Sequence, residues 1–161
     1  KDYNPRFIYE KIGYNFQILE LQAAMGRVQL RKIEKIKATR QKNFNYLTKE
    51  LGKLSNDLVM PSKLPQADVC WFSLPLTYKG DRGSLLRHLE RNGIETRPLF
   101  SGNIIRHPMM QYVDGWRAMG ELKEANYITE HSFWVSLHPS LTKKDLEYIV
   151  EIFDRFFKKH A

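Results

Sequence analysis

The chain has 161 residues, with 26 Lys and Arg against 18 Asp and Glu, for a formal charge of +8 with histidine neutral. At 42% hydrophobic and 12% aromatic residues it can bury one core, which excludes a disordered or fibrous chain. A single cysteine, Cys70, excludes an internal disulfide and any multi-cysteine metal site built from this chain alone, and no apolar run reaches the roughly 20 residues of a membrane helix. A soluble, cytoplasmic protein is expected, with no membrane partner, and the basic balance calls for an anionic ligand.

Lys1 to Ile12 shows no clear period and reads as an extended arm; without an initiator Met, it is expected to continue from a longer chain. From Ile18 an amphipathic pattern begins. Ile18, Leu21, Met25 and Val28, then Ile33, Ile36, Phe44, Leu47, Leu51 and Leu54, recur at helical steps, predicting one long helix with a break near Gly26. Its outward positions carry much of the basic excess, among them Arg31, Lys32, Lys35, Lys37, Arg40 and Lys42.

Ser55 to Val69, with Pro61 and Pro65, reads as a loop. Phe72, Leu74, Leu76 and Tyr78 then alternate with smaller or polar residues as a strand, in which Pro75 suggests an edge or bulge. Asp81 caps a short helix ending near Asn92-Gly93, and a strand Ile94 to Arg97 follows, stopped by Pro98. Leu99 to Arg117 is irregular and long for a simple connection, which marks it as a functional candidate. A helix over Glu121 to Glu130, a strand over Phe133 to Leu137 and a last helix opened by the capping box Thr142-Lys143-Lys144-Asp145 complete the pattern. The fold class is α+β: about three short, mainly antiparallel strands covered by helices, with one long N-terminal helix.

No phosphate-binding glycine loop, metal-ligand spacing or nucleophile motif is present, and the five histidines are scattered. Two segments stand out. Gly13-Tyr14-Asn15-Phe16-Gln17 enters the long helix, where free backbone N–H groups and a short amide suit a phosphate oxygen or a plain cap. Gly93 to Pro108 gathers Arg97, Phe100, Gly102, Asn103, Arg106 and His107 where a strand gives way to a loop. That set suits either a phosphorylated, hydroxyl-rich ligand or a loop pinned by arginine hydrogen bonds.

Gly13-Tyr14-Asn15 followed by Leu21-Gln22-Ala23-Ala24-Met25-Gly26 and Gln29-Leu30 resembles the nucleotide-sugar aminotransferases related to DegT, DnrJ, EryC1 and StrS. Gly93-Ile94-Glu95-Thr96-Arg97-Pro98 fits the whole group. Phe100-x-Gly102-Asn103-x-x-Arg106-x-Pro108, with Thr129-Glu130-His131-Ser132-Phe133-Trp134 running on to Leu141, is similar to its 3-dehydratase branch.

The resemblance implies the C-terminal small domain of a fold-type I pyridoxal-phosphate enzyme, with residues 1–17 as arm and phosphate-contacting turn and 18–161 as the small domain. The cofactor would be pyridoxal 5′-phosphate or pyridoxamine 5′-phosphate, held mainly by a large domain upstream, where the catalytic Lys or His and any [2Fe-2S] cysteines would also lie. Asn15 is implied to reach the cofactor phosphate across a homodimer. Arg97, Phe100, Asn103, Arg106 and His107 are implied to wall the site of a CDP- or GDP-linked 4-keto-6-deoxy sugar, loss of whose 3-hydroxyl would be the reaction in deoxysugar and lipopolysaccharide biosynthesis. Gln17 stands where the family commonly has Lys or Arg, which weakens a basic substrate contact there. The alternative within the family is 4-amino transfer. Outside it, the basic helix Arg27 to Lys53 could bind nucleic acid, but Glu34 and Glu50 interrupt its charge, so no nucleic-acid partner is expected. A pure dimerisation module is the third reading.

Overall fold

The computed structural model of the chain describes residues 18–160, so the arm, Asn15 and Gln17 lie outside the described residues. The chain divides into two units, Lys1–Glu34 and Lys35–Ala161. The helix α1 is uninterrupted from Glu20 to Leu51, and the expected break at Gly26 is absent. One interior glycine costs only about 1 kcal/mol, too little to stop propagation through a helix of 32 residues. Its start is held by Gln22, whose Oε1 accepts the Leu19 N–H at 2.9 Å, one half of a capping box. Within the first unit, Ile18, Leu21, Met25 and Val28 lie exposed along this helix.

In the second unit four strands form an antiparallel sheet in the order β1-β2-β4-β3: β1 (Leu58–Val59), β2 (Ser73–Tyr78), β3 (Thr96–Pro98) and β4 (Ser132–Ser136). The three expected strands are present, although β3 starts at Thr96 and runs on to Pro98, which pairs with Phe133 where the strand was expected to stop, and the fourth, β1, falls where a loop was expected. Two residues carry no readable period, and β1 exists only because Leu58 and Val59 pair with Tyr78 and Thr77. Three further helices are α2 (Arg82–Arg91), α3 (Lys123–His131) and α4 (Lys143–His160).

The caps are those the sequence names. Asp81 accepts the Ser84 N–H at 3.2 Å, and Gly93 follows α2 with a φ of +76°. The capping box at α4 is reciprocal: the Thr142 N–H donates to Asp145 Oδ2 at 2.7 Å, and the Asp145 N–H to Thr142 Oγ1 at 3.3 Å.

One face of the sheet packs on helices. Leu74 pairs with Val135 and Leu76 with Phe133, and all four are buried with Leu47 and Leu51 of α1, Leu85 and Leu89 of α2, and Leu146, Ile149, Ile152, Phe153 and Phe156 of α4. Each such side chain contributes about 1.5–3 kcal/mol relative to exposure. Ile152 is fully buried, whereas Val150 and Phe157 of the same helix only flank the core.

Side-chain alternation puts a different row on the other face. Arg97, Trp134 and Pro75 lie side by side across β3, β4 and β2, next to a partly buried row in which the Thr77 and Ser132 hydroxyls hydrogen-bond at 2.7 Å. The alternation stops at Ser73. Phe72, expected on the core side, is half exposed and packs edge-on against Trp134, while Trp71 stacks on Phe44 of α1 with ring centroids 5.1 Å apart.

Candidate functional site

The irregular segment after β3 is short of regular structure, but its first part, through Val113, is tied down by hydrogen bonds. Residues Ile104–Arg106 and Pro108–Tyr112 form 3₁₀ turns, the first capped by Asn103, whose Oδ1 accepts the Ile105 N–H at 3.3 Å. The rest of Asn103 faces α3. Its backbone N–H donates to Thr129 Oγ1 at 2.7 Å and its Nδ2 to Asn126 Oδ1 at 2.8 Å.

Arg106 Nη1 reaches Glu130 Oε1 at 2.8 Å. Asn126, Thr129 and Glu130 stand at i, i+3 and i+4, one face of α3, so a single helical stripe clamps the loop. Thr129 is itself fixed: its hydroxyl donates to the Ala125 carbonyl at 2.6 Å, and its carbonyl accepts from Arg82 Nη1 at 2.9 Å. The same Arg82 nitrogen donates to the Ser132 carbonyl at 2.8 Å, so one guanidinium joins the end of α3 to the start of β4.

Gly102 is required at the tightest point of this clamp. It has a φ of +60°, and a Cβ there would lie 2.6 Å from Thr129 Oγ1. Among the described residues the non-glycine ones in the left-handed region are Phe100 and Leu122, at φ +50° and +51°, one on each side of the clamp. Such conformations persist only where the surroundings hold them and concentrate at functional sites.

The expected site residues fall into two groups. Asn103 and Arg106 border a hollow of 320 Å³, shared with Glu121, Leu122, Asn126 and Glu130. Arg97 lies on the sheet, paired with Glu95, and Phe100 is 72% exposed with its ring 6.4 Å from that of Phe72. His107 is turned to the loop: its Nε2 donates to the Ser101 carbonyl at 2.6 Å.

Asn103 is buried with its amide spoken for, so it shapes the loop, whereas the side chains of Arg97 and Arg106 are 60% and 49% exposed and their ion pairs are accessible. Sequence reasoning missed Asn126, Thr129, Glu130 and Arg82; the i, i+3, i+4 spacing on a helix next to the loop was the available signal. Among the described residues no group of three or more His, Cys, Asp or Glu is placed to hold a metal ion.

The family model of the DegT/DnrJ/EryC1/StrS aminotransferase family matches residues 1–154. The chain is 36% identical over 159 residues to the lipopolysaccharide biosynthesis protein RfbH of Salmonella typhimurium, covering 96% of this chain and 36% of that protein. It is 34% identical to the dTDP-4-dehydro-2,6-dideoxy-D-glucose 3-dehydratase of Saccharopolyspora spinosa, over 99% of this chain and 35% of that protein. Among solved structures, the E. coli GDP-4-keto-6-deoxy-D-mannose-3-dehydratase with bound hydrated PLP superimposes with a TM-score of 0.79 at 25% identity, covering 92% of this chain and 38% of that one. The chain thus spans about a third of the length of the curated relatives it matches.

Proposed function

Because the chain belongs to the DegT/DnrJ/EryC1/StrS aminotransferase family, we propose that it is the C-terminal part of a pyridoxal-phosphate-dependent nucleotide-sugar 3-dehydratase acting on a 4-keto-6-deoxyhexose. The observation that carries this reading is the 34% identity, along nearly the whole chain, to a sugar 3-dehydratase. In the complete enzyme residues 18–161 are the small domain and residues 1–17 an arm and turn, and the enzyme is a cytoplasmic homodimer of deoxysugar and lipopolysaccharide biosynthesis. The exposed stripe Ile18, Leu21, Met25 and Val28 supports a further body of protein against the first unit, since contiguous exposed apolar residues mark contact surfaces.

The described residues suit the substrate better than the cofactor. Arg97 and Arg106 offer two accessible guanidiniums, planar donors that match phosphate oxygens, and each is held by a carboxylate, Glu95 and Glu130. Exposed ion pairs of this kind contribute about 0–1 kcal/mol, so a sugar-linked diphosphate can displace the carboxylates at little cost. Asn103, through its bonds to Asn126 and Thr129, fixes the loop that presents Arg106 and Phe100; it is a positioning residue. His107 orders the same loop through Ser101.

From this chain Asn15 is the residue proposed to reach the cofactor phosphate and Gln17 a weaker, uncharged contact to the substrate, the rest of the cofactor being held by protein outside the chain. When bound, the cofactor would supply the electron reservoir that lets the C–O bond next to the sugar ketone break. The chain's own part is to bind the nucleotide end, align the sugar and exclude water.

The test is incubation of the complete, cofactor-loaded enzyme with CDP- or GDP-4-keto-6-deoxyhexose and glutamate, read by mass spectrometry. Loss of the 3-oxygen is expected. Gain of an amine at C4 with the 3-oxygen retained would replace this reading with amino transfer.

A further inference from the structure

Three aromatic rings lie in contact at the edge of the sheet face that carries Arg97. Phe72 is at their centre: its ring meets that of Trp134 at 5.7 Å and 74°, and that of Phe100 at 6.4 Å and 60°. Phe72 is 48% exposed and Phe100 72% exposed, unusual for phenylalanines in a protein whose other large aromatic clusters pack on the core. Phe100 is also held at a φ of +50°, a region that a phenylalanine enters only when its surroundings impose it. The imposing structure is on the page: the clamp of Gly102 and Asn103 onto Thr129 begins two residues later. Directly across the strand pair from Trp134 is Arg97, with its side chain 60% exposed.

Exposed π-faces beside a displaceable guanidinium are complementary to a ligand that is flat and apolar at one end and anionic at the other. A nucleoside diphosphate has that form. We propose that Phe72, Phe100 and Trp134 form the stacking platform for the nucleobase, with Arg97 taking the diphosphate that follows it, so that Phe100 and the two rings the sequence did not single out set affinity for the nucleotide end of the substrate. This rests on the nucleotide-sugar reading above and adds to it which end of the ligand lies here. The edge-to-face arrangement of Phe72 on its neighbours leaves ring faces of different tilt, and stacking of a base on such faces depends little on which base it is, because every base has a π-face.

The test uses the complete, cofactor-loaded enzyme and four probes: CDP, GDP, inorganic pyrophosphate and ribose 5-phosphate. Affinities come from titration calorimetry, and contacts from the aromatic carbon–proton NMR signals of the three rings. CDP and GDP are expected to move the signals of Phe72, Phe100 and Trp134 while pyrophosphate and ribose 5-phosphate leave them in place. Phe100→Ala should weaken both nucleotides by about tenfold, the lower part of the range for loss of one aromatic stacking partner, and leave pyrophosphate unchanged. Phe100→Tyr should restore the nucleotides. Because Phe100 is exposed, its truncation does not open the core, and Trp134→Phe gives a second variant that keeps a π-face. If CDP, GDP and pyrophosphate all bind but Phe100→Ala changes none of them and the rings stay silent, the platform is refuted and the phosphate site stands. If none of the four probes binds at millimolar concentration, the substrate-site reading of this chain falls, and the platform with it.

Discussion

Gly102→Ala tests the clamp on which the site depends. Two penalties add. At φ +60° a residue with a Cβ loses about 1–2 kcal/mol relative to glycine. The new Cβ would also lie 2.6 Å from Thr129 Oγ1 and 2.8 Å from its Cγ2, and overpacking of this kind costs about 1–3 kcal/mol. Thr129 cannot turn aside cheaply, because its hydroxyl is engaged by the Asn103 N–H at 2.7 Å and the Ala125 carbonyl at 2.6 Å. The expected loss is about 3 kcal/mol, or roughly 10 °C in Tm for a domain of this size.

Gly93 supplies the control: its φ is +76°, but nothing lies within 4 Å of a Cβ there, so Gly93→Ala should show the backbone penalty alone, about 1–2 kcal/mol. Urea unfolding followed by circular dichroism measures both. Thr129→Ala in the Gly102→Ala background should recover about 1–2 kcal/mol of the expected sum of the two single losses. Equal losses for Gly102→Ala and Gly93→Ala, or strict additivity with Thr129→Ala, would refute the clamp.

Other outcomes follow from the same structure. Arg106→Ala should weaken binding of a nucleoside diphosphate while changing stability by less than about 1 kcal/mol, since its pair with Glu130 is exposed, whereas Asn103→Ala should cost about 1–3 kcal/mol of stability by leaving buried partners unsatisfied; calorimetry and urea unfolding separate the two. The carboxyls of Asp81 and Asp145 are held below the usual range, by hydrogen bonds from Ser84 and Thr142 respectively. A depressed folded pKa gives stability that is complete above the unfolded value near 4 and is lost as pH falls through the folded one, so Tm should drop below about pH 4, and less steeply in Asp81→Asn and Asp145→Asn. In the complete enzyme, Asn15→Ala should speed loss of pyridoxal phosphate on dialysis without changing Tm of the apo form; unchanged retention would return Asn15 to a plain helix cap.

What was legible in the sequence is what local chemistry decides. Asp81 with Ser84, Thr142 with Asp145, and Asn92-Gly93 each satisfy helix ends within three or four residues, so their spacing alone located α2 and α4. The long helix was legible from its period, but its continuity through Gly26 was not, because a propensity near the break-even point is overruled by the residues on both sides. Trp71 and Phe72 show the opposite failure. Alternation put Phe72 on the core side with Leu74 and Leu76, but the strand starts only at Ser73, and it is Trp71 that packs against the core, stacked on Phe44.

By itself the sequence determined the helices and their caps, the α+β class and, through the Gly-Ile-Glu-Thr-Arg-Pro and Phe-x-Gly-Asn strings, the family. Only the tertiary structure decided what those strings do in space. It made Asn103 a buried fastener, left Arg97 and Arg106 on accessible carboxylates, recruited Asn126, Thr129 and Glu130 from a helix more than 20 residues away, and brought Phe72 and Trp134 beside Phe100. The reason is physical: a cap closes within one turn of chain, whereas a clamp and a platform exist only once the sheet register has brought distant residues to the same place.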